Sequence, residues 1–151
     1  MKLNNKILSF FIIVLLLSFY SNAFSKSNLD LVNAAEAGDS KKIRELLRNG
    51  ADINEQDSKG DNALMKAAEN GHMQIIELLI QYRCSLNLQN KAGRTAISKA
   101  AENGHINAVR LLIDAGAKVN IKDKKDKTAL SYAVKEDHKN VVSLLKAAGA
   151  K

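Results

Sequence analysis

The three histidines are the first candidates for chemistry, because imidazole binds metals and carries protons. They are His72, His105 and His138, each 33 residues after the one before. If that period reflects stacked helices, equivalent side chains are about 8 to 10 Å apart, whereas one zinc ion needs each ligand nitrogen at about 2.1 Å. The histidines therefore cannot share an ion. Their period predicts a structural role, hydrogen bonding around the turn between two helices.

The single cysteine, Cys84, excludes an internal disulfide framework. It stands where the same 33-residue pattern has Ala51, Ala117 and Ala150, which predicts a small, buried packing thiol. An intermolecular disulfide is the alternative, since an odd thiol outside the cytoplasm can cross-link chains. No Ser/His/Asp or Cys/His set and no glycine-rich phosphate motif can be assembled without these periodic residues. We expect no cofactor, no metal and no enzymatic activity.

The periodicity is the strongest signal in the sequence. The segment KAAENGH at 66–72 recurs unchanged at 99–105, and related segments at 34–39 and 133–138 give four units in one phase. Two apolar positions three residues apart mark a second helix in each unit. These pairs are Ile43/Leu46, Ile76/Leu79, Val109/Leu112 and Val142/Leu145. With 151 residues and no proline or tryptophan, the chain predicts one all-α core packed by Leu, Ile and Ala.

Several motifs at this period resemble those of ankyrin repeats. The openings at 62–65, 95–98 and 128–131 are similar to that family's Thr-Pro-Leu-His, with alanine in place of proline, and its Gly-Ala-x-Val-Asn ending resembles 50–54 and 116–120. The resemblance covers the chain from about residue 29 and implies an ankyrin-repeat solenoid of four helix-turn-helix units with short hairpin loops. The expected repeats are about 29–56, 57–89, 90–122 and 123–151.

The first and last units are expected to act as caps, because an end repeat needs a polar outer face. Lys42 and Glu45 stand where the other units carry apolar residues facing the preceding repeat. Lys146 stands where the earlier units have an apolar residue facing the following repeat. The apolar counterparts are Ile75/Leu78, Ala108/Leu111 and Val141/Leu144 for the first pair, and Leu47, Ile80 and Ile113 for Lys146. We expect a monomer with three interfaces between repeats.

Residues 1–25 have the features of a secretory signal peptide, with a basic start followed by an apolar run at 7–19. As a helix this run would be about 20 Å long, shorter than the roughly 30 Å apolar core of a membrane. Cleavage is expected after Ser25 or, alternatively, after Ala23; a buried N-terminal helix is the other interpretation. We expect 26–151 to be an exported domain, periplasmic or secreted, with membrane attachment only if the signal stays uncleaved.

The ankyrin resemblance implies that hairpin positions and the end of each first helix contact a partner. Carried over by position, the residues are Ser58, Lys59, Asp61, Glu69, Asn70, Lys91, Ala92, Arg94, Glu102, Asn103, Lys124, Lys125, Lys127, Lys135 and Glu136. Tyr132 is the one aromatic residue on a first helix, and because aromatic and Arg side chains dominate binding hot spots, Tyr132 and Arg94 are the expected anchors. Partial burial of Tyr132 is the alternative.

The net charge of the chain and the charge of the predicted contact residues indicate which class of partner to expect. The chain carries a net charge of +7, with two of the lysines in the leader, and the strip becomes more basic toward the fourth unit. This favours an unidentified protein with an acidic surface, bound through the concave face. The alternative function is binding of an anionic polymer or membrane surface by the basic C-terminal repeats, and a solvated lysine-rich surface without a ligand is the third interpretation. Nucleic acid is disfavoured because no stacking aromatics accompany the lysines.

Overall fold

The computed structural model describes residues 12–14 and 30–151. Residues 12–14 are helical and exposed, and the rest of the predicted signal peptide lies outside the described residues. Helix α1 covers residues 30–37. The other helices are α2 Ser40–Arg48, α3 Ala63–Asn70, α4 Met73–Gln81, α5 Ala96–Glu102, α6 Ile106–Asp114, α7 Ala129–Lys135 and α8 Lys139–Ala147.

The helices form four successive pairs, which confirms the prediction of an all-α ankyrin-type solenoid. The first helices α3, α5 and α7 stack on one another, and the second helices α2, α4, α6 and α8 form a parallel layer. The first helices pack together more closely than the second helices do. The stack therefore curves with its first helices on the inner side.

Residue size explains the difference between the two layers. The first helices bury small side chains such as Ala67, Ala100 and Ala133, each fully inaccessible, and this lets their backbones approach. The second helices bury larger side chains such as Ile76 and Leu79. Each large side chain contributes about 1.5 to 3 kcal/mol when removed from water. A continuous apolar core thus runs through all the repeats.

Polar caps begin the first helices, although the family's proline is absent from these openings. The Asn62 side chain accepts a hydrogen bond from the Met65 amide at 2.9 Å. Thr95 and Thr128 each form a reciprocal capping box with the serine three residues later. Each such cap contributes about 1 kcal/mol to the stability of its helix.

The two ends of the stack are polar, as predicted. Lys42 and Glu45 are ion-paired with each other at 3.1 Å and keep much of their surface in solvent, while Ile75 and Leu78 at the equivalent positions are 1% and 2% exposed. Lys146 is exposed as well. Among the described residues, no helix has the combination of length and apolar character needed to cross a membrane.

The histidines have the predicted structural role, but their hydrogen bonds connect neighbouring repeats. Each ring Nε2 contacts a backbone carbonyl at the end of the first helix of the preceding repeat. The pairs are His72 with Glu36 at 3.1 Å, His105 with Glu69 at 3.0 Å and His138 with Glu102 at 2.9 Å. Within 12–14 and 30–151, no group of His, Cys, Asp or Glu is arranged to hold a metal ion.

Cys84 is buried, as expected for a packing thiol, with 7% of its surface exposed. Burial raises the pKa of the thiol to about 11. The thiolate, which is the reactive form, is therefore scarce in the folded chain near neutral pH.

This pKa predicts a loss of stability at alkaline pH. An unfolded cysteine titrates near 8.5, so the unfolded chain loses its proton first and the folded state is disfavoured as the pH rises from about 9 to 11. We expect the wild type to lose about 3 kcal/mol more than Cys84→Ala between pH 8 and 11. Urea unfolding of both proteins measures this difference, because the lysine titrations are common to the two. Parallel pH profiles would contradict the buried, protonated thiol.

Candidate binding face

A shared hydrogen-bond pattern fixes each hairpin between repeats. The first residue of the hairpin accepts, through its side-chain Oδ1, the backbone amides two and four residues later. Asp57 accepts from Lys59 and Asp61, Asn90 from Ala92 and Arg94, and Asp123 from Lys125 and Lys127, all at 2.8 to 3.0 Å. The hairpin tips are thus held by the backbone and by one polar side chain per repeat.

Backbone hydrogen bonds also join the tips of successive hairpins. The Lys91 amide donates to the Lys59 carbonyl at 3.0 Å, and the Lys124 amide donates to the Ala92 carbonyl at 3.1 Å. We call the exposed side chains along this line the tip row. The tip row consists of Ser58, Lys59, Lys91, Ala92, Lys124 and Lys125.

A shallow groove of about 620 Å³ lies between the tips and the first helices of the second and third repeats. It brings together most of the residues predicted for binding in these repeats. Its lining is Ser58, Lys59, Asp61, Lys66, Glu69, Asn90, Lys91, Ala92 and Lys99. The groove has a polar floor and a lysine-rich rim.

Buried charges form the floor of this groove. Asp61, predicted as a contact residue, is only 3% exposed. Its carboxylate accepts from Lys99 Nζ at 3.1 Å and from Asn90 Nδ2 at 2.8 Å. Lys99 also reaches Glu69 at 3.2 Å. Asp61 is therefore engaged in holding the second and third repeats together.

Lys66 repeats this arrangement one unit earlier, with its Nζ 3.0 Å from Glu36. Burial by itself would lower the pKa of Lys66, but the hydrogen bond with Glu36 and the charges of Asp61 and Glu69 raise it above its ordinary value. Lys66 is therefore charged at neutral pH. Each of these two lysines links its own first helix to the preceding one.

The two expected anchors, Arg94 and Tyr132, contact each other. The Arg94 guanidinium lies 4.0 Å from the centre of the Tyr132 ring and donates to Glu102 at 2.6 Å. Tyr132 is 7% exposed, so the expected alternative of partial burial describes it, and its hydroxyl donates to Asp123 at 2.5 Å. Burial and this bond raise the pKa of Tyr132. Burial opposes ionisation of Asp123, but the same bond lowers its pKa overall.

The other predicted contact residues of the fourth repeat differ in exposure. Lys124 and Lys125 are exposed and form no ion pair with any described residue. Lys127 is half-buried, with its Nζ 5.7 Å from the Tyr132 ring centre. Lys135 is exposed and pairs with Glu136; this contact raises the pKa of Lys135 and lowers that of Glu136.

Sequence reasoning missed Lys66, Lys99 and Asn90 as parts of the groove. A signal for the lysines was present, because Glu36 and Glu69 lie 30 residues before them at one repeat position. Opposite charges recurring on successive first helices indicate ion pairs between repeats.

Comparison with known proteins bears on this architecture. The model of a family described as Ankyrin repeats (3 copies) matches residues 31–123 and 83–151. No curated protein matches the chain.

Proposed function

Because the chain belongs to the ankyrin-repeat family, whose repeats are in general protein–protein interaction modules and typically non-enzymatic scaffolds, we propose that it binds a protein partner through its inner face. The inner face comprises the tip row and the groove beside it. One observation carries this proposal. The tip side chains are exposed while backbone bonds and buried ion pairs hold the hairpins, so these side chains are free to contact a partner.

The charge of the tip row supports a partner with an acidic surface. Lys59, Lys91, Lys124 and Lys125 make no ion pair with any residue in 12–14 or 30–151. Such unpaired charges accelerate encounter with an oppositely charged surface, and the effect weakens as salt screens it. Arg94 and Tyr132 support the tips from beneath through their mutual contact.

The proposed site of action is outside the cytoplasm. The basic start and apolar run of residues 1–25 support export. The mass of the mature chain recovered from the periplasm or medium tests this. Cleavage after Ser25 leaves Lys26 as the first residue; a full-length chain in the cytoplasm would contradict export.

Charge reversal on the inner face tests the proposed function. We expect Lys91→Glu/Lys124→Glu/Lys125→Glu to lower capture of envelope or host proteins at least tenfold, because attraction becomes repulsion at three sites. The matched control reverses three exposed cations of the second helices, Arg44, Arg110 and Lys139. Equal capture by both variants would remove the inner face as the binding site.

Binding of an anionic polymer or membrane surface is the second candidate, supported by the same tip lysines. It predicts that polyphosphate or anionic vesicles bind with a steep dependence on salt. The protein-partner proposal predicts instead that a captured protein resists competition by polyphosphate at physiological salt.

A further inference from the structure

The tip row is a continuous line across three repeats. Each hairpin contributes two consecutive residues to the row. In the two later hairpins, the first of them donates its backbone N–H to the carbonyl of the second row residue in the preceding hairpin. A step along the chain is about 3.8 Å and a step across such a bond about 5.5 Å between Cα atoms. The path along the row is therefore about 9 Å per repeat, in agreement with the roughly 8 to 10 Å between packed helices.

This spacing matches an extended polypeptide. An extended chain advances about 3.3 Å per residue, so three residues cover about 10 Å. A side chain that recurs every third residue would therefore meet the tip row once per repeat. Along the row the order of side chains is Ser, Lys, Lys, Ala, Lys, Lys, which places positive charge in each of the three hairpins.

From this match we infer that the tip row binds an extended acidic segment of a partner protein, with Asp or Glu at every third residue. The inference rests on the proposed function and specifies the chemistry of its partner. Each repeat would take one acidic side chain, and the segment would run along the stack, across the hairpins.

The groove beside the row favours a spaced over a uniform negative charge. Its floor carries the carboxylates of Asp61 and Glu69, and Glu69 keeps 35% of its side chain exposed. Lys66 and Lys99 in the same lining balance these carboxylates, so the floor offers no net positive charge to a uniformly anionic polymer. Ser58 in the same lining provides a hydroxyl that can hydrogen-bond to neutral residues between the acidic ones. A protein segment with spaced acidic residues can contact both the lysines of the tip row and the polar lining of the groove, whereas a polyphosphate chain matches only the lysines.

Two synthetic peptides of about nine residues test the spacing, because nine extended residues cover three repeats. They have identical composition, with three glutamates placed either at every third position or in one block, and polyphosphate serves as the third probe. We expect the full chain to bind the spaced peptide at least tenfold more tightly than the block peptide in fluorescence anisotropy. Equal affinities, or binding of polyphosphate alone, would overturn the inference.

Two double variants test whether the spaced peptide binds to the tip row. We expect Lys91→Glu/Lys124→Glu to weaken the spaced peptide at least tenfold, while Lys118→Glu/Lys146→Glu, with the same change of charge away from the row, alters it less than twofold. Equal weakening by both pairs would reduce the effect to net charge. If the tip variants lose a captured partner but neither peptide binds the wild type, the inference fails and the proposed function stands. If the tip variants keep both the captured partner and the spaced peptide, the inference and the proposed function are both rejected.

Discussion

Gly93→Ala is expected to lower the free energy of unfolding by about 3 kcal/mol. Gly93 has a φ of +82°, and a Cβ there would lie 2.8 Å from the Lys124 backbone nitrogen and 2.9 Å from Asp123 Cα. A left-handed backbone costs a residue with a Cβ about 1 to 2 kcal/mol. The rest of the loss arises because the hairpins of the third and fourth repeats must separate, which breaks the bond from the Lys124 amide to the Ala92 carbonyl.

Gly116→Ala is the matched control for this prediction. Gly116 has a φ of +93°, but no atom lies within 4 Å of the Cβ that alanine would add. We therefore expect only the conformational cost, about 1 kcal/mol. Urea unfolding of both variants separates the cost of the Cβ contacts at Gly93 from the cost of a left-handed backbone. Equal losses of unfolding free energy would show that contact between hairpins does not stabilise the stack.

Lys99→Met is expected to lower the free energy of unfolding by about 3 kcal/mol. The variant removes the cation 3.1 Å from Asp61 and leaves that carboxylate, whose side chain is 5% exposed, with Lys66 at 4.0 Å as its nearest cation. Breaking a buried pair leaves an uncompensated charge, whereas the methionine retains most of the apolar contacts of the lysine stem.

Removal of the partner charge should restore much of this stability. We expect Lys99→Met to cost about 1 kcal/mol or less on an Asp61→Asn background, because the neutral amide needs no cation. Lys42→Met, which breaks the exposed pair with Glu45, should change stability by about 0.5 kcal/mol or less. Urea unfolding measures Lys99→Met in the wild type, Lys99→Met on the Asp61→Asn background, and Lys42→Met. If all three lower the free energy of unfolding equally, burial does not strengthen the Asp61–Lys99 interaction.

Most of the fold could be predicted because stacked repeats impose local rules. An apolar side chain at Ile75 and a charged one at Lys42 distinguish an internal face from an end face, and both assignments are confirmed. The structural role of the histidines followed from spacing alone. Their actual partners did not, because the offset between neighbouring repeats decides that a ring reaches the preceding carbonyl.

The candidate binding face was harder to predict, because the direction of long side chains depends on packing between repeats. Lys99 and Lys91 are the same residue type in one repeat, yet Lys99 folds onto buried carboxylates and Lys91 remains in solvent. Arg94 and Tyr132, the two expected anchors, stack on each other, and Tyr132 is buried, as its alternative interpretation expects. Composition cannot distinguish these outcomes; the burial of each position within the stack does.

The backbone bonds that join the hairpin tips also determine how a binding surface of this kind can evolve. Since the Lys91 and Lys124 amides hold the tips in place, the side chains of these residues add little to stacking. Replacement of the Lys91 and Lys124 side chains by other types would change the ligand that binds and leave the scaffold intact. A partner would also meet a preorganised surface and would order few loop residues on binding, so less affinity is lost to entropy. In the proposed binding mode, the side chains of these residues recognise the ligand while their backbone atoms hold the stack together.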